Sequence, residues 1–272
     1  MTLRVGLVQL RTPATQEAAL AHAEPLVREA AAAGAQFVLT PEGTNILQRD
    51  RSQLLPRLTN VEDDVAVRGL RALATELGVW LDIGSALVLD GDRPVNRQLL
   101  IAPDGSIAAS YDKIHMFDVD LPTGETARES EVYEPGASAV LVDTPLAKLG
   151  LTICYDMRFP PLYRALTVAG AQVLTVPAAF TRPTGQAHWE ILLRARAIET
   201  GSFVLAAAQG GVHEDGRGTW GHSTVVGPWG EMLGKLDHDE PGVLLADLDL
   251  AAVDRARSAI PALKNARQFT GP

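Results

Sequence analysis

Strand-like and helical segments alternate along this 272-residue chain, which predicts an α/β fold. Composition agrees. Hydrophobic residues make up 46% and aromatics only 5%, with alanine, valine and leucine abundant, which suits strands covered by alanine-rich helices. No Gly/Ser linker or low-complexity stretch divides the chain. A single domain over residues 1–272 is therefore expected, with a core of about 3–250 and a C-terminal tail of about 251–272.

Alternation in Leu3-Arg4-Val5-Gly6-Leu7-Val8 predicts a first strand. Thr12-Pro13 then reads as N-cap and first residue of a helix whose inner face carries Leu20, Ala23, Val27, Ala30 and Ala31, closed by Gly34. Gln36 to Thr40 is a second strand that ends at Pro41-Glu42. Asn60 with Asp63 caps a helix running to Gly78. Val79 to Leu89 and Asn96 to Ile101 form a hairpin around Asp90-Gly91-Asp92, and Ser106 to Lys113 follow the Pro103-Asp104-Gly105 turn as another strand. From about His115 to Gly136 runs a polar loop, longer than a plain connection and suited to lining a site.

In the second half, Val140 to Val142 and Leu149 to Cys154 are apolar strand segments. Phe159 to Ala169 is helical, Ala171 to Pro177 a strand, and His188 to Thr200 a helix with Ile191, Leu192, Ala195 and Ile198 inward. Phe203 to Ala208, Ser223 to Val226 and Val243 to Leu248 complete a strand-rich second half. The two strand-helix series suggest two sheets face to face with helices outside. Periodicity alone does not separate that from one doubly wound sheet.

The net charge of -9 is spread along the chain and no Lys/Arg run offers a phosphate-tracking stripe, which argues against nucleic-acid binding. No stretch of about 18 uncharged apolar residues predicts a membrane span. The amino-terminal MTLRVGLVQLRT reads as a strand rather than a signal peptide. A single cysteine excludes an intramolecular disulfide and fits a reducing cytoplasm.

Three reactive side chains fall where an apolar strand meets a loop: Glu42 in FVLTPE, Lys113 in SYDK and Cys154 in LGLTICYD. Alone, each has an ordinary structural reading: a turn residue, a solvated lysine and a buried thiol. Together they supply what attack on an amide requires. A free thiol is only about 3% thiolate at pH 7, so a carboxylate must take its proton during attack. The oxyanion that forms needs a fixed cation and a backbone N–H, and a second carboxylate would hold that cation in place.

Other signals fail their context tests. GRGTWG at residues 216–221 follows a charged loop and leads into strand-like STVV, so it is not a dinucleotide loop. His213 and His222 lack partners at zinc-like spacing, and no metal or organic cofactor is expected. Trp189 and Trp229 are candidates for the core before the pocket.

The segments LTPEG, YDKIHMFDVDLP, GLTICYDMRFPPLYRAL, PTGQAHWEILLRARAIET and GHSTVVGPWGEML resemble the nitrilase (carbon-nitrogen hydrolase) superfamily, and within it the Nit-type amidases. The match runs in order from about Val5 to Leu250. The resemblance implies an α-β-β-α sandwich that dimerises through its helices. It also implies Glu42 as general base, Lys113 as oxyanion-stabilising group, Cys154 as nucleophile and the Tyr155 N–H as second oxyanion donor. RESEVYEPG matches the second-glutamate motif, with Glu129 the equivalent residue by its distance from Pro135-Gly136 and Glu131 the alternative.

The activity so implied is hydrolysis of a small carboxylate-bearing amide through a thioester. RARAIET followed by AAAQ most resembles enzymes acting on deaminated glutathione; omega-amidase, an N-carbamoyl amide hydrolase and an acyltransferase are the alternatives. A non-catalytic binding protein would be expected to have lost one of the three residues. Arg158 and Phe180 are the substrate-binding candidates, Arg158 as a carboxylate clamp or else a structural ion pair.

Overall fold

The structure is a computed structural model that describes residues 2–122 and 124–271. Two six-stranded mixed sheets stack face to face. The first contains β1 (Thr2–Gln9), β2 (Phe37–Leu39), β3 (Trp80–Asp90), β4 (Arg93–Ile101) and β5 (Ile107–Asp112). A small hairpin follows, β6 (Asp118–Asp120) with β7 (Thr126–Arg128). The second sheet is built from β8 (Val140–Asp143), β9 (Lys148–Leu151), β10 (Val173–Thr175) and β11 (Phe203–Ala206). Beyond a second hairpin, β12 (Gly210–Val212) and β13 (Gly218–Trp220), it is completed by β14 (Thr224–Val226) and β15 (Met232–Lys235). The last strand, β16 (Gly242–Asp249), does not stay with its neighbours in sequence. It crosses back to pair antiparallel with β1, Val5 opposite Ala246.

Strand orders are β16-β1-β2-β3-β4-β5 and β15-β14-β11-β10-β9-β8. Each sheet has three parallel strands at its centre and antiparallel strands outside them. The repeated pattern is what the similarity of the two halves reflects. Alternation in β1 sends Val5 and Leu7 into the core between the sheets and Val8 to the outer face, which packs against helices.

Helices α1 (Gln16–Ala32) and α3 (Val65–Leu77) cover the first sheet, with the single-turn α2 (Arg51–Leu54) between them in sequence. Helices α4 (Pro160–Val168) and α5 (Arg182–Thr200) cover the second, so the layers run α-β-β-α. Helix α1 starts later than the Thr12-Pro13 signal suggests. Its N-cap is Thr15, because Thr12 is buried and bonded through both its N–H and its hydroxyl to Gln209. Asp64, not Asn60 with Asp63, caps α3, accepting from Val67 N at 2.9 Å.

Helix α5 also departs from expectation. It begins six residues before His188, and its buried side is Trp189, Leu193, Arg196, Ala197 and Thr200. Ile191 and Ile198 point outward, 69% and 56% exposed. The segment after residue 250 opens with a helix, α6 (Ala251–Ala259), whose Val253 is buried. No helix among the described residues is long and apolar enough to cross a membrane.

At one point the sheets nearly touch. A Cβ on Gly84 of β3 would lie 1.9 Å from the Thr40 carbonyl oxygen and 2.4 Å from Pro177 Cβ on the opposing sheet's side. Only glycine fits there.

Candidate active site

Glu42 lies three residues past β2, beside the Gly84 contact. Its backbone carbonyl is held by Gln209 Nε2 at 3.0 Å. Its carboxylate is almost fully buried. Oε1 accepts from Lys113 Nζ at 2.8 Å and from Asn96 Nδ2 at 2.9 Å, and Oε2 accepts from the Ala179 N–H at 2.9 Å. Lys113 is the residue after β5, and its own N–H bonds the Asn96 carbonyl.

The Lys113 ammonium also meets Glu129, at 2.9 Å to Oε1 and 2.8 Å to Oε2. Glu129 stands in a 3-10 turn directly after β7 and takes a further bond from the Phe117 N–H at 2.6 Å. The stretch from His115 to Gly136 is thus a folded hairpin that delivers a carboxylate. Glu131 faces solvent and pairs with Arg51, so of the two glutamates Glu129 is the one at the lysine.

Cys154 comes from the other sheet. It opens a 3-10 turn shortly after β9 with φ of 49°, a left-handed conformation unusual for a side chain other than glycine. Its N–H is spent on the Pro177 carbonyl at 2.9 Å, and its thiol lies near enough to Glu42 for the carboxylate charge to push it up. The turn is tied down by Asp156, which is fully buried and accepts from Ile153 N, Tyr111 Oη and His115 N, with His115 Nδ1 at 2.7 Å. Asp156 so joins the Cys154 turn to the segment flanking Lys113.

Electrostatics follow from burial and proximity. Burial alone would raise the Glu42 carboxyl, but the Lys113 charge and the bonds from Cys154, Lys113 and Asn96 outweigh it and hold Glu42 below the usual glutamate range. Burial would lower Lys113, yet Glu129 and Glu42 together push it up. The Cys154 thiol is raised by burial first and then by the Glu42 charge. The resting pattern is thus an anionic Glu42, a firmly cationic Lys113 and a neutral Cys154 thiol beside them.

These groups open onto a cavity of about 700 Å³. Tyr155, Phe180, Tyr133 and Arg217 line it beside the three central residues. Arg158 is not among its walls. The Arg158 guanidinium lies behind them, 5.8 Å from the Tyr155 ring centre and 5.5 Å from that of Phe180, with both terminal nitrogens 3.3 Å from His188 Nδ1. Sequence reasoning missed Asn96, Asp156 and Arg217. In the sequence Asn96 carries only a strand signal, and Asp156 sits in GLTICYDMRFPPLYRAL with nothing to mark its role. Arg217 carries no spacing signal at all. Trp189 is core at 1% exposed, while Trp229 is 59% exposed and neither core nor pocket.

A face-to-face α-β-β-α sandwich with a buried glutamate, lysine and cysteine at its strand ends defines an enzyme class that cleaves carbon–nitrogen bonds. The chain belongs to the carbon-nitrogen hydrolase family, whose model matches residues 4–258, and it is an amidase. It is 39% identical over 97% of its length to the deaminated glutathione amidase of Yersinia enterocolitica, covering 92% of that protein. To the omega-amidase NIT2 of Mus musculus it is 38% identical, covering 98% of this chain and 95% of the relative. The C. elegans NitFhit protein superposes with a TM-score of 0.91 at 34% identity, over 98% of this chain and 65% of that longer one.

Proposed function

We propose that the chain hydrolyses a small carboxylate-bearing amide through a Cys154 thioester, with a substrate like that named for the deaminated glutathione amidases. The observation that carries the reading is Glu42 bonded to the Lys113 ammonium at 2.8 Å in the same cavity wall as Cys154. As Cys154 Sγ bonds to the amide carbon, its proton passes to Glu42. The oxygen gains the carbonyl electron pair beside Lys113 Nζ and the Tyr155 N–H. Collapse breaks the C–N bond, and the proton on Glu42 goes to the leaving ammonia or amine. Glu42 then takes a proton from water as the water attacks the thioester. The acid leaves, and the thiol regains its proton. Glu129 keeps Lys113 charged and aimed throughout.

A cavity of about 700 Å³ greatly exceeds a five-carbon monoamide, which favours a peptide-sized amide over the omega-amidase alternative. A homodimer is part of the proposal. Ile191 and Ile198 are exposed on the outer side of α5, and Ile198 adjoins the turn bearing the exposed Trp229, where a Cβ on Gly230 would lie 2.6 Å from Ile198 Cδ1. A cytoplasmic setting suits a lone cysteine kept as a free thiol. The test is a panel of amides, neutral and anionic, short and peptide-sized, scored for ammonia or amine release. Turnover confined to short neutral amides would overturn the substrate assignment.

A further inference from the structure

The cavity wall opposite the expectation for Arg158 holds a cation with little to do. Arg217 is the residue just before β13, the return strand of the β12–β13 hairpin, and lines the cavity. Its Nε is shut from solvent without a hydrogen-bond acceptor. Among the described residues, the only polar contact of its guanidinium is a 3.4 Å approach of Nη2 to Asp215 Oδ2. That oxygen is already engaged by the Arg49 N–H at 2.9 Å, and Asp215 Oδ1 by the Arg217 N–H at 2.9 Å. Asp215 therefore orients the guanidinium from behind while most of the arginine's donors stay unspent.

Other arginines of the cavity differ. Arg128 is held by both oxygens of Asp120 and by two carbonyls, and Arg51 by Glu131. Arg49 is exposed at the rim. Arg217 is also rigidly placed. The Trp220 N–H bonds the Phe180 carbonyl, Thr181 bridges to Thr219, and His213 Nε2 lies 2.7 Å from Thr219 Oγ1. The hairpin is so fastened to the segment that carries Phe180 into the cavity. His213, close by, is pushed down to about 4 by burial and then by the Arg217 charge, so at neutral pH it adds no second cation.

Resting on the proposed amidase activity toward anionic amides, we propose that Arg217 is the carboxylate subsite of this cavity, presenting its open guanidinium edge to a carboxylate on the substrate. A guanidinium matches a carboxylate with two parallel N–H donors, and partial burial strengthens the pairing. Tyr133 lines the cavity between the two centres. Arg217, Tyr133, Glu42, Lys113 and Cys154 line one cavity, so the subsite and the proposed catalytic cluster face the same bound substrate.

The carboxylate belongs either to the acyl portion or to the leaving amine, and calorimetric binding to the full chain distinguishes them. The probes are 2-oxoglutarate for the first and glycylglycine for the second. Wild type should bind at least one, and Arg217→Met should weaken that probe by about 30-fold or more, with Arg217→Lys between the two. Circular dichroism and the melting temperature of both variants guard against misfolding. Absence of binding to wild type, or equal binding by wild type and a folded Arg217→Met, would overturn the subsite. Loss of the probe in Arg158→Met instead would do the same. The amide panel is scored separately on wild type, so failure of the amidase reading is recognised independently of this result.

Discussion

Lys113 donates to Glu42 across 2.8 Å, so the cation proposed to meet the oxyanion rests on the carboxylate proposed to accept the thiol proton. Neither can act without changing its hold on the other. On the proposed mechanism, protonation of Glu42 weakens its claim on Lys113 and frees the ammonium toward negative charge as that charge forms. Glu129 keeps its two contacts with the lysine meanwhile, so the ammonium turns without leaving its place.

Replacing Cys154 by Ala should abolish turnover and leave the fold intact, since the chain has one cysteine to form the acyl-enzyme. Intact-mass spectrometry of wild type mixed with substrate should show an adduct on Cys154 that is missing in the variant. Undiminished activity in Cys154→Ala would remove the nucleophile assignment.

The two carboxylates on Lys113 should separate kinetically. Glu42→Gln keeps shape and hydrogen bonding but takes no proton, so turnover and iodoacetamide alkylation of Cys154 should both fall, turnover by about 10²–10⁴-fold. Glu129→Gln leaves the base in place and should depress turnover far more than alkylation. The reverse pattern would exchange their roles.

Asp156 should behave as a structural keystone for the site. It accepts from three separate donors with no solvent access, so Asp156→Ala strands the Tyr111 hydroxyl and the Ile153 and His115 amides. Urea unfolding should show a loss of about 2–4 kcal/mol. Asp156→Asn, with one acceptor oxygen kept, should lose less. Equal stability of both variants and wild type would contradict this.

Stability should fall as pH rises through Asp82. This aspartate is buried between the sheets, bonded by Gln98 Nε2 at 2.7 Å, and burial pushes its carboxyl up to about 8. The folded chain therefore holds a proton that the unfolded chain releases near pH 4, and stability present below pH 4 declines between about pH 4 and pH 8. Asp82→Asn keeps an acceptor without the titration. Its melting temperature should exceed that of wild type by at least about 4 °C at pH 8.5 and match it near pH 4. A gap that does not widen with pH would assign the pH dependence elsewhere.

Arg158→Met should leave KM for anionic amides within about twofold, because the guanidinium stacks behind Tyr155 and Phe180 rather than in the cavity. The loss should show instead as about 1 kcal/mol of stability from the aromatic contacts. A large KM increase with normal stability would restore Arg158 as a clamp.

Much of this was legible in the sequence because strand ends announce themselves: Leu39, Asp112 and Leu151 close apolar runs just before Glu42, Lys113 and Cys154. What misled was burial that periodicity cannot see. In α5 the buried stripe includes Arg196, neutralised by the Met157 carbonyl and Glu199 and laid over Tyr163, so the apolar Ile191 and Ile198 fall on the opposite side. The return of β16 to the first sheet needs a chain crossing that no local pattern encodes. Arg217 and Asn96 matter through contacts far away in sequence, and a lone polar residue in a hairpin carries no such message.

Glu42 and Cys154 approach each other from different sheets, and Gly84 sets how near those sheets can come. The reacting distance is consequently not a property of either loop but of the seam between two halves of similar design. A methyl group at that one position would act as a wedge. It would push apart Glu42 and Cys154, which it never touches, turning a change in packing thickness directly into a change in the proposed chemistry.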